Sequence, residues 1–263
     1  MISEKMKPFM ANNSAIRAMF EEGKRMAAIY GKENVYDFSL GNPNVPVPQV
    51  TEAILDVVKN EDFMTLHGYM SNAGYEDVRQ TIAESLNKRF GTNFSFKNLI
   101  MTVGAASGLN IILKSILNPG DEVIIPAPFW LSYAEMVRIA GGTPVIAYTK
   151  AENNFELSRE ILESAYTDKT KAVIVTTPSN PTGMVLTEKC LREIADFAVE
   201  KDIIVIADEI YEKLIYSKDK KHISIASFGK EIYERTITVN GVSKSYAMTG
   251  WRIGFIAGPE WIV

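Results

Sequence analysis

Four short segments of this sequence concentrate groups that can do chemistry. Gly104-Ala105-Ala106-Ser107-Gly108 is small and flexible, and Pro178-Ser179-Asn180-Pro181-Thr182-Gly183 offers an amide and hydroxyls. Asp208-Glu209-Ile210-Tyr211 offers a carboxylate and a phenol. Asn240-Gly241-Val242-Ser243-Lys244 ends on an amine between two serines, with Trp251 and Arg252 close behind. The first segment is either a tight strand-to-helix turn or a phosphate site, where free backbone N–H groups and the positive helix end hold an anion. It is not a dinucleotide fingerprint, because the G-x-G-x-x-G spacing is absent, and the chain has no G-x-x-x-x-G-K-[ST] loop. Asp208 closes an apolar run, where a carboxylate is costly unless partnered. It reads as a helix N-cap or as an acid held against a cationic ring nitrogen, with Tyr211 facing the same pocket. Lys244 reads as a solvated surface charge or as a desolvated amine whose lowered pKa makes it a nucleophile.

Each of these segments follows a short apolar or β-branched run, and those runs are the elements that must position them. Strands are expected over residues 99–103, 122–126, 143–148, 171–177, 203–208, 235–241 and 252–258. Helical patterns fall between them, over residues 105–117, 129–140, 157–166 and 187–200. This alternation predicts an α/β fold of three layers, α/β/α, with a mostly parallel central sheet. In such sheets ligands sit outside the carboxyl ends of the strands, where the four segments converge. Upstream, residues 1–35 read as a leader with an amphipathic helix over 14–30. The three prolines and one glycine of residues 37–48 exclude helix and sheet interior. Helices over 49–59 and 75–90 flank a loop at 66–74.

The bulk properties exclude other classes. The net charge of −4 gives no basic footprint for nucleic acid, and the apolar runs are too short to span a bilayer. The polar start has no signal-peptide core, and the single cysteine, Cys190, excludes an intrachain disulfide. Cys190 reads as a packed small apolar residue, and the cytoplasm is the expected location. No metal site is expected.

TVNGVSKSYAMTGWRIGF resembles the cofactor-lysine motif of the class I aminotransferases, through Gly241, Ser243, Lys244, Gly250, Arg252 and Gly254. SNPTG (179–183) and DEIY (208–211) resemble the two companion motifs, and NPGDEVIIPAPFWLSY a third segment. LGNP, and HGYMSNAGYEDVR at 67–79, resemble the start of the family, and order and spacing agree from about residue 38 to 259. The chain is thus identified as similar to the aspartate aminotransferase-like, fold-type I enzymes that use pyridoxal 5'-phosphate (PLP).

The resemblance implies roles. Lys244 would hold the cofactor as a Schiff base and move the proton, an amine being both nucleophile and acid/base. Asp208 would pair with the ring nitrogen, so that the ring accepts the carbanion's electrons. Asn180 and Tyr211 would bond the ring oxygen, and Trp130, otherwise an ordinary core aromatic, would lie on the ring face. Ala105 and Ala106 N–H groups, Ser243 and the bidentate fork of Arg252 would hold the phosphate. Tyr69, otherwise a surface-loop aromatic, would reach the phosphate of a neighbouring subunit in a homodimer. Gly41, Trp130 and Asn180 would line the substrate site. Two positions depart from the family pattern: Gly241 stands where many members carry serine, and Ala106 where some acid-specific members carry lysine.

The function implied is transfer of an amino group between an amino acid and a 2-oxo acid. The alternatives are a PLP-dependent C–S lyase of the same superfamily and a non-catalytic module with the same fold. Residues 1–48 are expected to form an N-terminal segment and the start of a small domain, and residues 49–263 the PLP-binding large domain. The family runs more than a hundred residues beyond this length, so the rest of the small domain, with its carboxylate-gripping arginine, is expected outside the chain.

Overall fold

The computed structural model describes residues 2–7 and 15–263. It divides into two compact units, Met1–Val45 and Pro46–Val263. The first contains helix α1 (Ala15–Tyr30) and a short turn of helix at Lys32–Asn34. Ser14, where the helix was expected to start, lies outside the described residues.

The second unit holds a seven-stranded sheet in the order β1-β7-β6-β5-β4-β2-β3. Its strands are β1 (Leu99–Val103), β2 (Glu122–Ala127), β3 (Thr143–Tyr148), β4 (Thr170–Thr176), β5 (Ile204–Asp208), β6 (Thr236–Gly241) and β7 (Ile253–Ala257). All pairs among β2 to β6 are parallel, whereas β7 runs antiparallel to both β1 and β6. Helices α2 (Thr51–Asn60), α3 (Phe63–His67) and α4 (Glu76–Phe90) precede the sheet. Between and after the strands come α5 (Ala105–Ile116), α6 (Ser132–Ala140), α7 (Arg159–Ala165), α8 (Glu188–Glu200), α9 (Lys230–Tyr233) and α10 (Val242–Ser245).

The continuous apolar runs are explained by burial on both faces. Val123, Ile125, Ile174, Ile206 and Val239 pack with α5 and α6, and Ile124, Val173, Val175, Val205 and Ala207 pack with α7 and α8. Each fully buried side chain of this size contributes about 1.5–3 kcal/mol. The central strands are therefore held firmly, and so is the edge where they end. This is the three-layer α/β/α arrangement expected from the sequence.

Local differences have local causes. The helix expected from residue 129 starts at Ser132. Pro128 donates no N–H, and the Tyr133 N–H turns back to the Trp130 carbonyl at 3.0 Å, so residues 129–131 form a turn before the helix. Part of the expected loop 66–74 is instead α3, capped by Asp62, whose side chain accepts from Thr65 N–H at 3.0 Å. Cys190 is buried in α8, and burial pushes its thiol up to about 11, which suits a packed residue and not a nucleophile. Among the described residues no helix is long and apolar enough to cross a membrane.

Candidate active site

β5 ends at Asp208, between Thr176 of β4 and Val239 of β6. Asp208 is 4% exposed. Its Oδ2 accepts the Tyr133 hydroxyl at 2.6 Å and its Oδ1 the Ile210 N–H at 3.2 Å. The Tyr133 hydroxyl also meets Thr176 Oγ1 at 2.9 Å. Burial pushes the Asp208 carboxyl above its ordinary range, the Tyr133 and Ile210 bonds pull it down, and the Glu209 charge adds to the upward push. The phenol and amide that donate to it are neutral, so this carboxylate gains further from a cation set against it. The Ile210 bond is the cap-like contact of the simpler reading, and it coexists with the second one.

Tyr211 lies beyond the turn. Its hydroxyl accepts Asn180 Nδ2 at 3.2 Å, and the Lys244 Nζ stands 5.8 Å from its ring centroid. Burial pushes the Tyr211 phenol up against the Asn180 bond. Lys244 rides on α10, directly after β6, and is half-buried. Burial, and then the positive charge of Arg252, push its pKa below the ordinary lysine value. A larger share of the neutral amine, the nucleophilic form, is thereby present at neutral pH. Trp130 packs against the core and meets Tyr133 edge-on with ring centroids 5.4 Å apart.

The reversed direction of β7 completes the edge. Because β7 is antiparallel, its start lies beside the ends of β1 and β6, pairing Ile253 with Val103 and Gly254 with Gly241. Arg252, which precedes β7, borders the turn before α5: a Cβ on Gly104 would lie 2.5 Å from the Arg252 Nη2. No side chain caps the start of α5 at Ala105 and Ala106. A positive helix end and a guanidinium thus share one place, which suits an anion. Ser243 is buried nearby in sequence, on α10 beside Lys244.

Glycines make this approach possible. A Cβ on Gly254 would lie 2.5 Å from the Gly104 carbonyl carbon and 2.6 Å from the Ala105 nitrogen, both backbone atoms. A Cβ on Gly241 would lie 2.6 Å from the Ile253 carbonyl oxygen, so a serine there would need a shifted backbone. Gly254→Ala is expected to destabilise the fold by about 1–3 kcal/mol and to weaken anion binding at the start of α5 beyond that. Thermal unfolding and phosphate titration measure the two effects. An unchanged melting temperature would show that the two backbones are not pressed together.

The other two expected site residues, Tyr69 and Gly41, come from segments outside the sheet. Tyr69 is fully exposed in a loop. Gly41 lies in the first unit, exposed in an irregular stretch. Conversely, Tyr133 was not singled out from the sequence, although it is the closest partner of Asp208. Its signal was the spacing Trp130-x-x-Tyr133, which puts a polar-tipped aromatic next to the candidate ring-face residue.

Asp208, Asn180, Tyr211, Lys244 and the start of α5 beside Arg252 thus form a set of donors and charges at the carboxyl edge of the sheet. Such a set would suit a ligand with an anionic group for the helix end and Arg252 and a cationic group for Asp208. A family model described as aminotransferase class I and II matches residues 32–263. An aspartate aminotransferase of Pyrococcus abyssi is 45% identical over 97% of this chain and 63% of its own length. The aromatic-amino-acid aminotransferase 2 of Thermococcus litoralis is 43% identical over the same shares. The structure of aspartate aminotransferase from Thermus thermophilus with maleate superposes with a TM-score of 0.88 at 34% identity, over 100% of this chain and 65% of that one. The chain therefore spans 63% of the length of the two curated relatives.

Proposed function

Because this chain belongs to the aminotransferase class I and II family, we propose that it moves an amino group between an amino acid and a 2-oxo acid with pyridoxal 5'-phosphate as cofactor. The observation that carries this reading is the half-buried Lys244 amine, with its lowered pKa, set 5.8 Å from the Tyr211 ring on the edge that also bears Asp208. When bound, the cofactor supplies a carbonyl that captures amino groups and a ring that accepts the electron pair left at Cα.

The chain's residues do the rest. The Lys244 amine would hold the cofactor and, once the substrate amine takes its place, would move a proton between the substrate Cα and the cofactor's carbonyl carbon. Asp208, steadied by Tyr133, keeps the ring nitrogen protonated. Asn180 and Tyr211 hold the ring oxygen, and Trp130 covers a ring face and excludes water. The Ala105 and Ala106 N–H groups, Ser243 and Arg252 hold the phosphate. Gly41, Trp130 and Asn180 adjoin the substrate. In this reading residues 1–48 belong with a small domain and residues 49–263 form the PLP-binding domain. The protein works in cytoplasmic amino acid metabolism.

The test is a single half-reaction. Addition of an amino acid to the loaded protein, with no oxo acid present, is expected to release one 2-oxo acid per site and no ammonia. Continuous release of pyruvate and ammonia from a cysteine conjugate, with no such stoichiometric product, would replace transamination by β-elimination.

The same reading includes a homodimer with Tyr69 donated across the interface, which gives the fully exposed side chain an occupant. Tyr69→Phe and Lys244→Ala, each impaired alone, are expected to recover part of the parent's activity when mixed and refolded together. Mixtures no better than the sum of the two variants would remove Tyr69 from the site.

A further inference from the structure

A second cluster of charged groups lies beneath the turn that carries Asp208 and Tyr211. Glu209 and Glu212 belong to that turn, and their side chains are 2% and 5% exposed. His222, whose side chain is 4% exposed, sets its Nε2 3.1 Å from Glu209 Oε2. Arg89, near the end of α4, pairs with Glu212 Oε1. Phe90 closes the cluster, edge-on to the imidazole with centroids 5.1 Å apart. Glu209 Oε2, Glu212 Oε2 and both His222 nitrogens are buried and make no aligned hydrogen bond.

Charge balance decides what this cluster needs. Two buried carboxylates face one guanidinium, so one positive charge is required. A proton on His222 supplies it at the observed ion-pair distance. A divalent cation could reach the two carboxylates and the imidazole, whose ligand atoms lie within 4.8 Å of one another, but it would overshoot neutrality and compete with Arg89 for Glu212.

We propose that His222 is a positioning residue: as an imidazolium beside Glu209 and Glu212 it completes a charge-balanced quartet with the partly exposed Arg89, and the quartet holds the turn 208–212 at the setting in which Asp208 and Tyr211 meet the cofactor. The proposal rests on the cofactor reading above. The turn has further anchors in the Glu209 N–H to Val239 carbonyl bond at 2.9 Å and the Glu212 N–H to Glu209 carbonyl bond at 3.0 Å. Neither fixes the side-chain end, which the quartet does. Burial alone pushes the imidazole down, but Glu209 and then Glu212 outweigh it, Arg89 opposing, so His222 sits above its ordinary value. A raised histidine contributes stability that is full below the ordinary value and is lost as pH rises through the raised one.

The test uses the whole chain, with His67→Gln as background so that His222 is the only histidine. Its imidazole resonances are expected to report the cation at neutral pH. His222→Gln leaves Glu209 buried without its counter-charge. It is expected to shift the backbone amide resonances of residues 208–212 in the cofactor-free chain and to weaken PLP binding about tenfold, as loss of a supporting partner does. It should also remove the decline in affinity above the histidine range. Glu209→Gln combined with His222→Gln exchanges the charged pair for a neutral one and is expected to restore most of both readouts. A neutral His222 at neutral pH, or a folded His222→Gln with the parent's turn resonances and affinity, overturns the proposal. So does a Zn²⁺- or Mn²⁺-induced rise in melting temperature that Glu209→Gln abolishes, which would make the cluster a cation site. Borohydride adduct formation at Lys244 in the parent separates this result from failure of the cofactor reading, because the resonance experiments need no cofactor.

Discussion

Lys244→Ala is expected to abolish covalent capture of pyridoxal 5'-phosphate while leaving the chain folded. Borohydride treatment of the loaded parent, followed by peptide mass spectrometry, should place the adduct on Lys244, and the variant should give none. The loss is large because one group serves as nucleophile and as the base and acid at Cα. General acid–base catalysis alone accounts for about 10²–10⁴-fold, and the attachment step is lost as well. The fold should tolerate the change. Lys244 is half-buried on a short helix, and its lowered pKa means that burial disfavours its charge in the folded state. An adduct on another lysine of the parent, or turnover by the variant within a few-fold, would sink the assignment.

Asp208→Asn is expected to separate stability from function. Burial raises the Asp208 pKa, so the folded chain holds that proton more tightly than the unfolded chain. Stability from this group therefore falls as pH rises through the raised value, and at neutral pH the ionised carboxylate is a cost. Asparagine removes the cost, and its carbonyl can still accept the Tyr133 hydroxyl. The cofactor-free variant should melt no lower than the parent at neutral pH. It should also gain less than the parent when the pH is lowered toward the carboxylate range. Turnover should fall, because a neutral amide cannot keep the ring nitrogen protonated as charge develops. Preorganised electrostatic groups of this kind are worth roughly 3–4 kcal/mol, or about 10²–10³-fold. A parent-like rate would reduce Asp208 to the cap of its own turn through Ile210.

These expectations draw unequally on sequence and structure. The seven strands were legible because burial on both faces leaves continuous apolar runs, and the turn residues at their carboxyl ends are punctuated by Gly, Pro, Asn and Asp. Asp208, Asn180 and Lys244 stood out for the same local reason: each is a polar group closing or following an apolar run. Phosphate recognition at the start of α5 was also suggested locally, by small residues opening a helix.

The set of elements and the reactive groups at their ends were therefore readable in the chain alone, since both follow from patterns a few residues long. The tertiary structure decided which of those ends meet. Only the antiparallel direction of β7 brings Arg252 to the carboxyl edge, beside Gly104, because that places the start of a strand where the others finish. The bond from Tyr133 to Asp208 spans 75 positions, and the pair of Arg89 and Glu212 spans 123. Such contacts leave no periodicity to read. They exist because burying an apolar sheet edge forces polar groups from distant segments into one dry space, where each must find a partner or shift its charge.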